Sequence, residues 1–254
     1  MSSGLLGCMT TPAQGSRIPE GAHYACDNSK FGSDGKGRYW PGTPSWLAWL
    51  QRTVERYGPD RCLWALAPDC PFDAVATLAE SQPLLARIRA LGVPAAYAAQ
   101  DGCDAPGLLP WNNFDVLFLA GSTDWKLSPV AERLAREAKA RGKGVHMGRV
   151  NSRTRLQIAE WFGCDSADGT YLTYGPDKNL PKLLSWLDEL DGRPSLIAGT
   201  QAPTSPGAPT APPPQARHTL PGPEAAALSG NRPPPASGTP PAPPATRGPR
   251  PPSR

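Results

Sequence analysis

Apolar residues in this chain alternate between short continuous runs and longer stretches in which they recur every three or four positions. The runs are His23–Cys26, Cys62–Ala67, Ala95–Ala99, Asp115–Ala120, Gly144–Met147 and Cys164–Ala167, with Leu5–Met9 a candidate seventh. Their length and continuity predict strands buried on both faces. Thr43 and Pro44 read as a cap and a first-position proline, and Leu47, Leu50, Val54 and Tyr57 give the helix that follows its inward stripe. A helical region from Phe72 to Leu91 is expected to break near Pro83, because an internal proline removes a backbone hydrogen bond. Gln100 to Trp111 has no period. Ser128 and Pro129 open a helix with Val130, Leu134 and Ala138 inward and Gly142 at its end. Leu156, Ala159 and Phe162 follow a cap at Asn151 or Ser152 and stop at Gly163, and Leu180, Leu183, Leu184, Leu187 and Leu190 mark one face of a last helix.

Six strand–helix units and a candidate seventh strand predict a parallel sheet with helices outside it. An open doubly wound sheet gathers its ligand-binding strand ends at one switch point. Here nearly every run ends in a polar residue or glycine: Asp27, Asp69, Gln100, Gly121, Arg149 and Asp168. The fold class expected is therefore α/β, a TIM-type (β/α) barrel. The span 1–195 is short against the ~250 residues typical of such barrels, so some units are reduced.

Residues 196–254 differ in kind. They hold more than half of the 33 prolines, almost no large apolar residue, and five arginines against one glutamate. Such a segment cannot bury enough surface to offset the entropy of ordering it, which predicts a disordered, polyproline-like tail. Its charge equals the net +4 of the whole chain, so the barrel itself is neutral. No run approaches the ~20 apolar residues of a membrane span, and no secretory leader is apparent. The six cysteines show no C-x-x-C pair, which fits reduced thiols and a cytoplasmic location.

The candidate chemistry is narrow. His23 and His146 fall inside predicted strands and read as core histidines, and histidines and cysteines lack metal-ligand spacing. No phosphate-cradling loop is present; Gly32–Gly37 (GSDGKG) is loop composition only. Strand-end carboxylates remain. Two of them on one rim suit nucleophilic and acid/base work at an anomeric carbon.

The run VHMGRVN…GCDSADGT resembles the corresponding part of the tRNA-guanine transglycosylases, and MGRVNS…GCDSADGT…GPDKNL is closer still to their DpdA-type branch, which acts on DNA. The likeness spans about Tyr24 to Leu187 and is strongest over the last two units. It implies Asp168 as nucleophile and Asp27 as acid/base, with Asn28, Asp69, Gln100, Gly121, Met147 and Gly148 forming the pocket for the base. It implies neither metal nor organic cofactor. Asn28-Ser29-Lys30-Phe31 replaces the family's Ser-Gly-Gly-Phe-Gln, and no cysteine follows Asp168, so the zinc subdomain of the tRNA enzymes has no counterpart.

These features set the functional expectation. The chain would exchange guanine in DNA for a free 7-deazaguanine through a covalent aspartyl-glycosyl intermediate. The same exchange on tRNA and a catalytically silent nucleic-acid-binding barrel are the alternatives. Between Ala131 and Arg155 there are eight basic residues and two acids. Within that run Arg149, Arg153 and Arg155 lie nearest the expected catalytic edge, and they are the candidate phosphate contacts together with Lys178 further on.

Overall fold

The computed structural model describes residues 6–14, 17–31 and 40–191. Leu5, the Gly32–Gly37 run and the proline-rich tail lie outside them. Seven strands form one sheet: β1 (Cys8–Thr10), β2 (Tyr24–Cys26), β3 (Cys62–Leu66), β4 (Ala95–Ala99), β5 (Val116–Leu119), β6 (Gly144–Met147) and β7 (Ser166–Ala167). Every neighbouring pair is parallel and the spatial order is the chain order. A doubly wound sheet would reverse direction once, and this one does not.

The sheet curls. Trp64 of β3 meets His146 of β6 with ring centroids 4.7 Å apart and Phe118 of β5 at 5.3 Å. In a flat sheet β3 and β6 would stand roughly 14 Å apart. Among the described residues β1 and β7 are the free edges, so the architecture is a partial TIM barrel.

Side-chain alternation splits the interior in two. Ala25, Trp64, Leu66, Ala96, Ala98, Val116 and Phe118 fill the concave face, where small alanines make room for the two large rings. Cys26, Ala65, Tyr97, Leu117, Leu119, Val145 and Met147 face the helices instead. The covering helices are α1 (Thr43–Tyr57), α2 (Ala74–Arg89), the one-turn α3 (Thr123–Lys126), α4 (Pro129–Ala140), α5 (Arg153–Phe162) and α6 (Pro176–Asp191). Ser128 caps α4 as the sequence predicts, Ser152 rather than Asn151 caps α5, and Gly163 ends α5 in the left-handed conformation.

Two expectations change, and one element is new. Pro83 does not break α2. Both Pro83 and Ala79, whose carbonyl it leaves without its helical partner, are exposed, so solvent can reach that carbonyl while Leu84, Leu85 and Ile88 pack the next turn. Thr43 is not the cap of α1; Gly42 holds that position and makes no side-chain bond. The helical turn α3 was invisible to periodicity because four residues are too few to show one.

Candidate functional site

Most of the candidate polar residues stand just beyond strand ends, and the curl brings them to one rim. Asp27 and Asn28 follow β2, Asp69 follows β3, Gln100 and Asp101 follow β4, Gly121 follows β5, Gly148 and Arg149 follow β6, and Asp168 follows β7. Asp27 and Asp168 leave strands five places apart in the sheet, yet they are close enough for their charges to act on one another.

Asp168 is a quarter exposed. Its Oδ1 accepts from the Arg149 backbone N–H at 3.1 Å and lies 3.1 Å from His146 Nε2, whose Nδ1 in turn lies 2.8 Å from Ser166 Oγ. Among the described residues Oδ2 takes no hydrogen bond. Gly148 makes this approach possible, because a Cβ there would stand 2.7 Å from the Phe118 ring and 3.3 Å from Asp168 Oδ1.

Asp27 is half-buried and accepts one bond, from Ser29 N–H at 2.7 Å. Burial pushes its carboxyl up to about 7, Asp69 and Asp168 add to the rise, and the Ser29 bond opposes it. The two carboxylates thus sit in different surroundings, and such divergence assigns acid/base roles in known carboxylate pairs.

Asn28, Asp69 and Gln100 form a closed, buried network. Asn28 Nδ2 donates to Asp69 Oδ1 at 2.8 Å and to Ala67 O at 2.9 Å; Gln100 Nε2 donates to Asp69 Oδ2 at 2.6 Å, while its Oε1 accepts from Phe72 N–H at 3.0 Å. Burial pushes the Asp69 carboxyl up, against the pull of Asn28, Lys30 and Gln100. Each Asp69 oxygen spends one of its two lone pairs on this network.

Arg149 adopts φ 60°, and its guanidinium turns inward to donate to the carbonyls of Ala120 and Gly121. It lies 4.4 Å from the centroid of Phe31 and 5.9 Å from that of Phe72. Those two rings pack edge to face at 5.9 Å, each about half exposed. Ser29, Phe72 and Arg149 are the non-glycine residues with positive φ among those described. All three lie in rim loops, after β2, β3 and β6, and strain of this kind gathers at functional sites. Gly121 admits no side chain, since a Cβ would stand 2.6 Å from Asp101 Oδ2 and from the Trp125 ring.

Placement corrects part of the expected site. Met147 is 1% exposed and packs in the helix-side core with Val145 and Leu119, so its side chain does not face a base on the rim. Strand alternation sends His146 to the concave face instead. Arg153 is paired with Glu189 on the surface, and Lys178 is exposed on α6. Arg155 stays at the rim, with Nη1 3.4 Å from Arg149 O. Sequence reasoning passed over Lys126, Phe31 and Phe72. Lys126 is 3% exposed and its Nζ donates to Gly148 O. Burial and the nearby Arg149 and Arg155 push its amine down to about 7, against the pull of Asp168. Phe31 and Phe72 stood directly after strand-end motifs, the one signal available. Among the described residues no three metal-binding side chains cluster, and no helix is long and apolar enough to cross a membrane.

No protein-family model matches the chain, and no curated protein is significantly similar to it. Solved structures match at the level of fold only. The Xanthomonas citri FimX EAL domain in complex with c-diGMP is 16% identical with a TM-score of 0.40, over 59% of this chain and 58% of that one. The Vibrio cholerae LapD S helix-GGDEF-EAL structure, bound to c-di-GMP, is 12% identical with a TM-score of 0.39, over 58% and 36%. A putative glycerophosphoryl diester phosphodiesterase from Silicibacter pomeroyi is 15% identical with a TM-score of 0.39, over 66% and 52%.

Proposed function

We propose that this chain exchanges guanine in DNA for a 7-deazaguanine base through an aspartyl-glycosyl intermediate. The observation that carries the reading is the pairing of Asp27 and Asp168 on one rim, the first with its carboxyl raised to about 7 and the second with Oδ2 free. Asp168 Oδ2 attacks C1′, and the bond from C1′ to the purine nitrogen breaks with its electron pair going to the base. Asp27 gives that nitrogen its proton. The incoming deazaguanine returns a proton to Asp27, its ring nitrogen attacks C1′, and the bond to Asp168 breaks. Two displacements retain the configuration of the sugar.

The rim supports recognition of a flipped-out purine. The remaining lone pairs of Asp69 suit the N–H donors of a guanine edge, and Phe31 and Phe72 offer ring faces beside the Arg149 cation. On a neutral barrel, Arg149 and Arg155 at the rim supply local charge for the phosphates. A catalytically silent nucleic-acid-binding barrel is the second reading, favoured by the mutual hydrogen bonding of Asn28, Asp69 and Gln100, which a bound base must partly open.

The test is covalent trapping. Protein mixed with a guanine-containing DNA oligonucleotide and no incoming base should give an adduct on denaturing gels, discharged by guanine or a 7-deazaguanine. Adduct with tRNA alone redirects the reading to RNA. Tight binding with neither adduct nor exchange of labelled base leaves the silent barrel.

A further inference from the structure

Two exposed rings on the rim are carried by backbone that is held, through one side-chain amide each, to the buried Asp69 carboxylate. Gln100 Nε2 donates to Asp69 Oδ2 at 2.6 Å, and its Oε1 accepts from the Phe72 backbone N–H at 3.0 Å. Asn28 mirrors it. Its Nδ2 donates to Asp69 Oδ1 at 2.8 Å, and its Oδ1 accepts at 2.8 Å from the N–H of Lys30, the residue before Phe31. Lys30 is fixed a second time through its ammonium, which pairs with Glu80. Both ring-bearing loops are thus pinned to the carboxylate that the exchange reading assigns to the base. The rings themselves are poorly covered. Each is about half exposed, although phenylalanine is among the residues most often buried, and Phe72 also holds φ 67° to reach its place. The two pack edge to face with centroids 5.9 Å apart, and the Arg149 guanidinium lies 4.4 Å from the Phe31 centroid.

We propose that Phe31 and Phe72 form a wedge that enters the stack of duplex DNA in the place vacated by the target guanine. The inference rests on the proposed exchange reaction for its occupant, since a base extruded toward Asp69 leaves its gap beside the same loops. Extrusion forfeits the stacking of the base on its neighbours. Apolar side chains inserted between base steps replace part of that contact, and phenylalanine is one of those used. A duplex presents π-faces for the rings and phosphates for the Arg149 cation. This role differs from holding the flipped base, because the wedge acts on the duplex left behind. It matters in proportion to the stacking that must be broken.

The test varies the stacking while keeping the base. Exchange of labelled base is measured with the full chain on a single strand, a matched duplex and a duplex with the target guanine mispaired. A parallel set carries 2-aminopurine at the target, which keeps the 2-amino donors of guanine and brightens on leaving the stack. The parent protein should bind the matched duplex and brighten it. Phe31→Ala and Phe72→Gly should each lose most of that rise, and should lose at least ~10-fold more exchange on the matched duplex than on the single strand. The mispaired duplex, whose base is easier to extrude, should recover most of the difference. Equal losses on all three substrates, no binding to the duplex, or binding without the rise overturns the wedge. If Phe72→Gly fails to fold, Phe31→Ala carries the same test. A rise that both variants lose, with no exchange by the parent on any substrate, would sink the exchange reading and leave the wedge standing.

Discussion

His146 Nε2 stands 3.1 Å from Asp168 Oδ1, while Nδ1 of the same ring stands 2.8 Å from Ser166 Oγ. Ser166 is the registered partner of His146 across the β6–β7 pair, and Asp168 is two residues on, so one imidazole spans two successive side chains of its neighbour. With Nε2–H donating, the serine hydroxyl donates to Nδ1 and a single neutral tautomer satisfies both bonds. The ring is 3% exposed and wedged between Trp64 and Phe118, so it cannot follow the carboxylate if that moves. In the proposed reaction His146 would be a positioning residue, holding Oδ1 and leaving Oδ2 to attack. His146→Gln should lower the exchange rate by about 10- to 100-fold through misplacement of the nucleophile, with KM for the oligonucleotide nearly unchanged. A large rise in KM with normal turnover would mean the ring contacts substrate.

Asp168→Asn should abolish exchange and adduct formation while leaving the melting temperature within a few degrees. The amide keeps the volume and its oxygen still accepts from the Arg149 N–H, but it is not a nucleophile. Incorporation of labelled base into DNA is the measurement. Undiminished incorporation would eliminate the mechanism.

Strand runs, helix stripes and the caps at Ser128 and Ser152 were legible because each depends on local chemistry. So was the order of the rim residues, since a strand end is a local event. The facing of Met147 and His146 was legible in principle from alternation, yet a three- or four-residue run gives no anchor for its phase. The mutual hydrogen bonding of Asn28, Asp69 and Gln100 was not legible, because it joins loops after three different strands. Lys126 escaped for the same reason: its burial is set by the β6 loop folding over a helix only one turn long.

Asp27 makes stability depend on pH. Its carboxyl rises from an ordinary 3.8 to about 7 on folding, so the folded state holds a proton that the unfolded chain gives up between those values. Its contribution is then fully present below the unfolded pKa and is lost as pH rises through the folded one. Asp27→Asn removes this slope. Relative to the parent, the variant should gain roughly 2 kcal/mol between about pH 4 and about pH 7, less than the whole shift implies because water reaches the half-buried side chain. Urea denaturation of both proteins across that window checks it; parallel pH curves would show that Asp27 is ionised at neutral pH.

Gly148→Ala tests how tightly the rim is built. The added methyl would press on the Phe118 ring and crowd Asp168 Oδ1. Overpacking of this kind typically costs about 1–3 kcal/mol, and displacement of the carboxylate should cut exchange more than it cuts stability. Equilibrium unfolding and turnover, measured on one preparation, separate the two. A variant with normal turnover would show that Phe118 yields without moving Asp168.

Phe72 sets stability against binding. It occupies φ 67°, a left-handed conformation that costs a side-chain-bearing residue about 1–2 kcal/mol, and its ring is 48% exposed. The ring touches Phe31 edge to face and lies near Arg149, so the folded protein gains modestly from it. Phe72→Gly relieves the backbone and removes the ring in one step. The melting temperature should hold or rise, because the relief offsets the lost contact. Affinity for a single-stranded oligonucleotide should fall by about 1–3 kcal/mol, the usual worth of one base stacked on an aromatic side chain. Phe31→Ala, which has no positive φ to relieve, should weaken binding similarly without raising stability. Unchanged affinity in both variants would remove the aromatic pair from the recognition surface, and a sharp fall in melting temperature for Phe72→Gly would show that the ring belongs to the core.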